Sequence, residues 1–443
     1  MFRKLCFVLI LVPMALAQPG STASNQGATI VPGTASGAAS SEPQSANLLR
    51  LEDVEREVVA ANPALGRAAT LVAAQRAHVS QAGVLPDPTL TLSWMGNPVP
   101  FEVMDNDPSS YRGLSVMQTV PLGGKRALQR AVAREDVAVE EASESVARRN
   151  LLTEARAAFF DYYYYGVALE ITARNQQRLE QLAEITEARY RVGKAMQQDV
   201  LRARLEISML LQRTAALRQQ RLTAAARLNT LMGHPAGAPL AAAAEPAPSA
   251  LPAMEALAQE AEANDLMLAR EVRMGERESA ALALSRKDGT PDLTVGYTYQ
   301  QRTGLPDMHG MQFTVNLPIH RERLRQEIAE GELRVRAAQQ GQQARRLELS
   351  YELQQSWAAA QTAKQMLDLY DQAILPQAEL ARDSAQAAYE VGNVDFLTVL
   401  TNYTAIYSYE LDYHRQRADY EIAIARIHGL TGDLDAPSAP EAH

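Results

Sequence analysis

The stretch Gly113-Leu114-Ser115-Val116-Met117-Gln118-Thr119-Val120-Pro121-Leu122-Gly123-Gly124-Lys125-Arg126 decides how the chain is read. Its first eight residues alternate apolar and polar side chains, the period of a strand with one apolar face. Pro121 ends the strand, because a proline cannot donate to a ladder. Gly123-Gly124 then opens a run with no proline, reaching Tyr190 just before the break Arg191-Val192-Gly193-Lys194. Read as one helix, the 67 residues from Gly124 to Tyr190 span on the order of 100 Å. A helix that long needs partners along its whole length. Val132, Val139, Val146, Phe160 and Val167 share one heptad position, with Thr153 between them, and predict a coiled-coil-like seam.

Outward from this stretch, the chain repeats itself. Tyr190-Arg191-Val192-Gly193 recurs as Tyr389-Glu390-Val391-Gly392, and Leu231-Met232-Gly233 recurs as Leu430-Thr431-Gly432, both at an offset of 199 residues. Ala61-Asn62 matches Ala263-Asn264, Pro86-Asp87 resembles Pro291-Asp292, and Val120-Pro121 matches Leu317-Pro318. The pattern is a tandem duplication, with repeats over 48–233 and 253–432. An Ala/Pro-rich linker, 234–252, joins them and cannot be one regular helix. Each repeat reads as a helix of about 35 residues, two strands around a loop, a very long helix, a Val-Gly turn, and a returning helix that ends at Gly.

The strands are two-faced. Leu90, Leu92, Trp94, Leu114, Val116, Val120, Leu293, Val295, Tyr297, Tyr299, Met311, Phe313, Val315 and Leu317 fall on one face. Thr91, Ser93, Ser115, Thr119, Thr294, Thr298, Gln312, Thr314 and Asn316 fall on the other. This suits a membrane barrel with a wet lumen, and equally a half-buried soluble sheet. Four strands cannot close a barrel alone, so a membrane reading requires several chains to contribute strands.

The ends of the chain read differently. Arg3 and Lys4 precede an apolar run, Leu5 to Ala17, with small residues at Ala15 and Ala17: a secretory signal peptide over 1–17. Cys6 is the only cysteine and lies inside that segment, so no disulfide and no lipid-bearing cysteine is expected after cleavage. Residues 18–47 form a low-complexity leader and 433–443 a tail, both expected to be disordered. No later segment has the roughly 18 consecutive apolar residues of a membrane helix.

The formal net charge is −9, and the arginines are scattered among acidic residues with no basic stripe, which argues against nucleic acid. Gly123-Gly124-Lys125-Arg126 is no phosphate loop: Thr119 stands where an earlier glycine is needed, and Arg126 where the magnesium-binding Ser or Thr belongs. No His-Glu-x-x-His or Gly-x-Ser-x-Gly occurs, so no enzyme, cofactor or metal centre is expected. Met308-His309-Gly310-Met311 offers soft ligands in principle, but reads as a loop entering a strand. The block Phe159 to Tyr165 reads as helix packing.

The duplication, the junction Pro121 to Arg126, the paired Tyr-x-Val-Gly turns and the Leu-x-Gly repeat ends together resemble the TolC family of outer-membrane efflux channels, over residues 48 to 432. The resemblance implies a mainly α protein with a small β part. Each of three protomers would give four strands to a trimeric twelve-stranded membrane β-barrel, continued by a long-helix coiled-coil tunnel through the periplasm. The Gly-Gly-Lys-Arg junction and Ile374-Leu375-Pro376-Gln377-Ala378 look like the CzcC-type heavy-metal branch, with a multidrug duct as the neighbouring alternative. A soluble periplasmic coiled-coil scaffold is the alternative of a different class.

The same resemblance implies the partners: outer-membrane lipid, a periplasmic adaptor and an inner-membrane resistance-nodulation-division pump. Its adaptor-binding tips map onto Arg191, Val192 and Gly193 and onto Glu390, Val391 and Gly392. Acidic gate residues usual six and nine positions after the second tip's glycine are replaced here by Thr398 and Thr401, which leaves Asp199 and Asp395 as the carboxylates near the closed end. Pro121, Gly123, Gly124 and Pro318 mark the junctions between strands and helices.

Overall fold

The computed structural model describes residues 48–96 and 103–432; the signal peptide, leader and tail expected at the ends lie outside them. Repeat 1 holds α1 (Leu51–Ala61), α2 (Pro63–Gln81), β1 (Thr89–Met95), β2 (Tyr111–Pro121), α3 (Lys125–Arg191) and α4 (Gln197–Leu231). Repeat 2 holds α5 (Met254–Asn264), α6 (Leu266–Ser285), β3 (Asp292–Gln301), β4 (Met308–Val315), α7 (Arg321–Leu369), α8 (Leu375–Glu390) and α9 (Phe396–Thr431).

The expected 67-residue helix is present, as α3. Three expectations are corrected. The opening helix of each repeat is two helices. At Pro63 the ring cannot continue a helix from α1, and Asn62 caps the next one: its Oδ1 accepts from the Ala64 N–H at 2.8 Å while its Nδ2 donates to the Leu231 carbonyl at 2.7 Å. In repeat 2 the break is at Asp265, whose Oδ1 accepts from the Leu268 N–H.

The second long helix is also interrupted, by a π-helical turn over Tyr370–Ile374. Pro376 follows it, and in an unbroken α-helix its ring would clash with the carbonyl four residues back. The wider turn lets the Leu375 N–H bond to the Tyr370 carbonyl instead and removes that conflict. The third correction concerns the seam: of its members only Phe160 is buried, and Val132, Val139, Val146, Thr153 and Val167 are half-buried. Helix α3 touches α2, α4, α6 and α9, so its buried side chains, among them Leu152, Phe159, Tyr162, Ile171 and Leu179, spread around the cylinder.

The strands form one antiparallel sheet in the order β1-β2-β3-β4. Its register sets Val116 between Leu90 and Tyr297, with Met311 beyond, and sets Val295 between Gln118 and Phe313. The opposite face carries Thr91, Ser115 and Thr298 in one row and Thr119, Thr294 and Thr314 in another. The Thr119 and Thr294 hydroxyls lie 2.9 Å apart. The two faces predicted from alternation are therefore the two faces of the sheet, except that β4 ends at Val315 and leaves Asn316 and Leu317 just past it. The apolar face is bare: Leu92 is 76% exposed, Phe313 66% and Met311 64%.

Below the sheet the packing order is α2-α3-α6-α7, and nearer the tips it is α4-α3-α9 followed by α7 and α8. Each of these orders is a strip of four elements with one free edge from each repeat, and α1 packs beside α3 and α5 beside α7 and α9. The core sits where the strips meet, around Phe159, Ile171, Leu228 and Met232. The linker crosses it as an extended strap. The Tyr162 hydroxyl donates to the Ala241 carbonyl at 3.0 Å, and Glu421 accepts from the Ser249 N–H and hydroxyl at 3.0 and 2.6 Å.

Candidate functional site

The two tips are built alike. At the end of α3 the Gly193 N–H donates to the Tyr190 carbonyl at 2.9 Å and the Lys194 N–H to the Arg189 carbonyl at 2.8 Å. At the end of α8 the Gly392 N–H bonds to Tyr389 at 2.9 Å and the Asn393 N–H to Ala388 at 2.8 Å. Both are Schellman ends, which need a left-handed residue at the turn. Gly193 and Gly392 supply it, at φ 74° and 85°, where a β-branched residue would be strained. Val192 and Val391 are left pointing outward, 68% and 73% exposed.

The tips are joined by a residue that sequence reading passes over. Arg189 lays its guanidinium 4.5 Å from the Tyr389 ring centroid and donates to the Tyr389 and Glu390 carbonyls. Carbonyls at the end of a helix have no partner within it, so Arg189 caps α8 from the neighbouring hairpin. The Tyr389 hydroxyl in turn donates to Thr186 on α3 at 3.3 Å. The partners are about 200 positions apart in the chain, and no local spacing marks them.

The four gate candidates occupy the start of the returning helices. Asp199 Oδ2 accepts from the Met196 N–H at 3.2 Å, so it caps α4. Asp395 caps α9 by accepting from the Thr398 N–H at 2.9 Å, and it also accepts from the Thr398 hydroxyl. Those bonds, the hydroxyl foremost, hold its carboxyl below the usual aspartate range, and the Arg202 charge adds a smaller pull. Thr401 is exposed and donates to the Leu397 carbonyl at 2.8 Å. Asp395, Thr398 and Thr401 therefore follow one another at helical spacing on an exposed face.

At the other end, Pro121 closes β2 opposite Asp292. Gly123 (φ 72°) passes so close to Thr290 that a Cβ would fall 2.7 Å from its methyl, and Gly124 (φ 79°) opens α3. Lys125, nearly buried, donates to Asp292 at 2.9 Å. This ion pair fixes α3 of one repeat to β3 of the other. Pro318 lies in the segment between β4 and α7. The Met308 to Met311 segment is all strand: Met311 sits in the apolar row and His309 Nδ1 is 2.7 Å from the Tyr297 hydroxyl. Among the described residues no group of three or more His, Cys, Asp or Glu could hold a metal ion, and no helix is long and apolar enough to cross a membrane.

Comparison with known proteins agrees with this architecture. The family described as outer membrane efflux protein matches residues 55–234 and 257–433. The cobalt-zinc-cadmium resistance protein CzcC of Cupriavidus metallidurans is 25% identical over 387 residues, covering 84% of this chain and 87% of that one. Among solved structures, CusC superposes with a TM-score of 0.74 at 14% identity, over 86% of this chain and 91% of CusC. The outer membrane protein VceC of Vibrio cholerae gives 0.71 at 16% identity, over 86% and 96%. These structures share the mainly helical fold with its small antiparallel sheet, and the family match spans more than half of the chain: the protein belongs to the outer membrane efflux protein family, the TolC-type channels.

Proposed function

We propose that three copies of this chain form an outer-membrane exit duct for heavy-metal cations, driven by an inner-membrane resistance-nodulation-division pump through a periplasmic adaptor. The observation that carries this reading is the unfinished edge in every layer. The sheet ends in β1 and β4, and the helical strips end in α2 or α4 on one side and α7 or α8 on the other. An open sheet edge is not tolerated in lipid, and the bare apolar face of the sheet suits lipid. Rotation about a threefold axis would set β4 against the next copy's β1, giving twelve strands.

The helical edges suit the same closure. On α4, Leu201, Leu205 and Met209 are more than half exposed at four-residue spacing. On α7 and α8, Leu347, Tyr351 and Leu380 are likewise more than half exposed. In this reading the chain is exported by residues 1–17, and the repeats over 48–233 and 253–432 supply one half of each protomer's layers. Arg191 to Gly193 and Glu390 to Gly392 are the adaptor-docking tips, and Pro121, Gly123, Gly124 and Pro318 set the turn from barrel to tunnel.

Metal cargo is supported by the similarity to a cobalt-zinc-cadmium resistance protein. Deleting the gene in its native host should raise sensitivity to zinc, cobalt, cadmium or nickel and leave tolerance of dyes and antibiotics unchanged. Sensitivity confined to organic compounds would replace the metal reading with an organic-solute duct of the same build.

The closed end is proposed to lie at Asp199, Asp395, Thr398 and Thr401. Three carboxylates around a narrow aperture concentrate cations. Asp395→Asn should therefore shift the reversal potential of single channels under a salt gradient toward lower cation preference, with Asp199→Asn as the parallel case. Asparagine still accepts a hydrogen bond as a cap, so the helix start is retained. Unchanged selectivity in both variants would exclude these residues from the gate.

A further inference from the structure

We infer that the two tips of each protomer read opposite charges on the adaptor: the first tip accepts an acidic hairpin end and the second a basic one. The inference rests on the reading of the tips as docking points and goes beyond it by assigning each a partner chemistry.

The two tips are equivalent in backbone and in their exposed apolar centre, Val192 or Val391, but not in charge. From 186 to 205 stand Arg189, Arg191, Lys194, Arg202 and Arg204 against Glu187 and Asp199. Over the matching positions 385 to 404 stand only Glu390 and Asp395, with no basic residue. The structure leaves part of this difference on the surface. Arg189 turns to the carbonyls of the second tip and the Arg202 charge reaches Asp395, while Arg191, Lys194 and Arg204 stay exposed at the first tip. Arg191 and Arg204, 74% and 65% exposed in their side chains, converge on the single carboxylate of Glu187 at 2.9 and 3.2 Å. One acid shared by two guanidinium groups leaves a net positive rim. Lys194 is exposed and has no ion pair among the described residues.

At the second tip, Glu390 is exposed, again with no ion pair among the described residues; its side chain accepts only from Gln386, at 3.3 Å. The cation nearest to its backbone, Arg189, turns inward to the carbonyls and the Tyr389 ring. The outward face of that tip therefore stays negative.

A small apolar anchor ringed by charge is the usual anatomy of a specific contact. The anchor contributes burial equally at both tips. The rim then decides which partner end is accepted, because like charges brought together are rejected and opposite charges speed encounter. In a closed ring of three protomers the six tips alternate positive and negative, so an adaptor assembly can seat in only one rotational register. Swapping the occupants of adjacent tips would place like charges against each other at every contact.

The test uses the full chain in its native outer membrane, with a photo-crosslinking residue at Val192 or Val391 and mass spectrometry to identify a helical-hairpin adaptor and its crosslinked position. Arg191→Glu with Lys194→Glu should lower the yield from position 192 roughly tenfold and leave that from 391 within about twofold. Glu390→Lys should do the reverse. Reversing the charge of the adaptor residue beside each crosslink should restore the lost yield, which a merely damaged tip would not show; trimer recovery checks that the variants assemble. Crosslinks that persist unchanged through both reversals would overturn the charge reading and leave docking intact. Absence of any hairpin-adaptor crosslink from either position in the unreversed chain would overturn the docking reading and this inference with it.

Discussion

Arginine at Val295 or Phe313 should abolish recovery of the membrane-inserted oligomer, whereas arginine at Thr294 or Thr314 should leave most of it. Val295 and Phe313 are cross-strand partners on the bare apolar face, and Thr294 and Thr314 are partners one position away on the other. A lipid-facing arginine near the bilayer midplane costs about 2–4 kcal/mol. Closure of one barrel by three chains incurs it three times. An arginine in a wet lumen keeps its hydration and costs little. The comparison is internal, since the same residue is introduced at adjacent positions of the same strand. Heat-resistant oligomer in outer-membrane fractions measures it. Equal recovery from both pairs would contradict the assignment of lipid and lumen faces, and a soluble oligomer would contradict membrane insertion.

Arg345→Met should destabilise the helical body by about 3–5 kcal/mol, the cost of stranding a buried charge. Arg345 Nε and Nη2 donate to the two oxygens of Asp265 at 3.1 and 2.8 Å, with side chains only 7% and 4% exposed. Nη1 reaches Glu352 at 3.0 Å. The hydrogen bonding that Arg345 donates to Asp265 is the chief cause that raises the arginine's pKa, so the guanidinium stays charged throughout any practical pH range. With Arg345 gone, Asp265 would be left buried with, among the described residues, only the Leu268 N–H to donate to its side chain.

The double variant Asp265→Asn, Arg345→Met removes the stranded charge and keeps a capping oxygen, and should recover much of the loss. Denaturant unfolding in detergent, followed by helical signal, checks both. A single variant within about 1 kcal/mol of the parent would show that the pair is solvated or exchangeable; a double variant as unstable as the single would show that the cost lies in packing.

What is local in this protein is legible in its sequence. Alternation of Leu, Val and Tyr with Thr and Ser determines the two faces of the sheet, because successive strand side chains must point to opposite sides. The absence of proline and the run of good helix formers after Lys125 determine the length of α3. Val-Gly at 192–193 and 391–392 determines the tips, because a helix closing on a left-handed residue takes glycine there. Even the interruption at Tyr370–Ile374 has a local cause in Pro376, though the proline only says that the ladder must give way and not that it widens to a π turn.

What the tertiary structure decides are the meetings between residues far apart in sequence. Residues 253 to 285 carry no proline after Met254 and read as one helix, yet Asp265 breaks it; Arg345, 80 positions away, holds the carboxylate that caps α6. A valine heptad along α3 predicts one seam, but neighbours on several sides bury other positions, because a helix's buried face is set by what surrounds it. Arg189 is one arginine among many until the fold brings the end of α8 to it. Nor does periodicity say which elements end each strip. That follows only from the packing order, and it is the open edges, more than any motif, that make a single chain an incomplete channel.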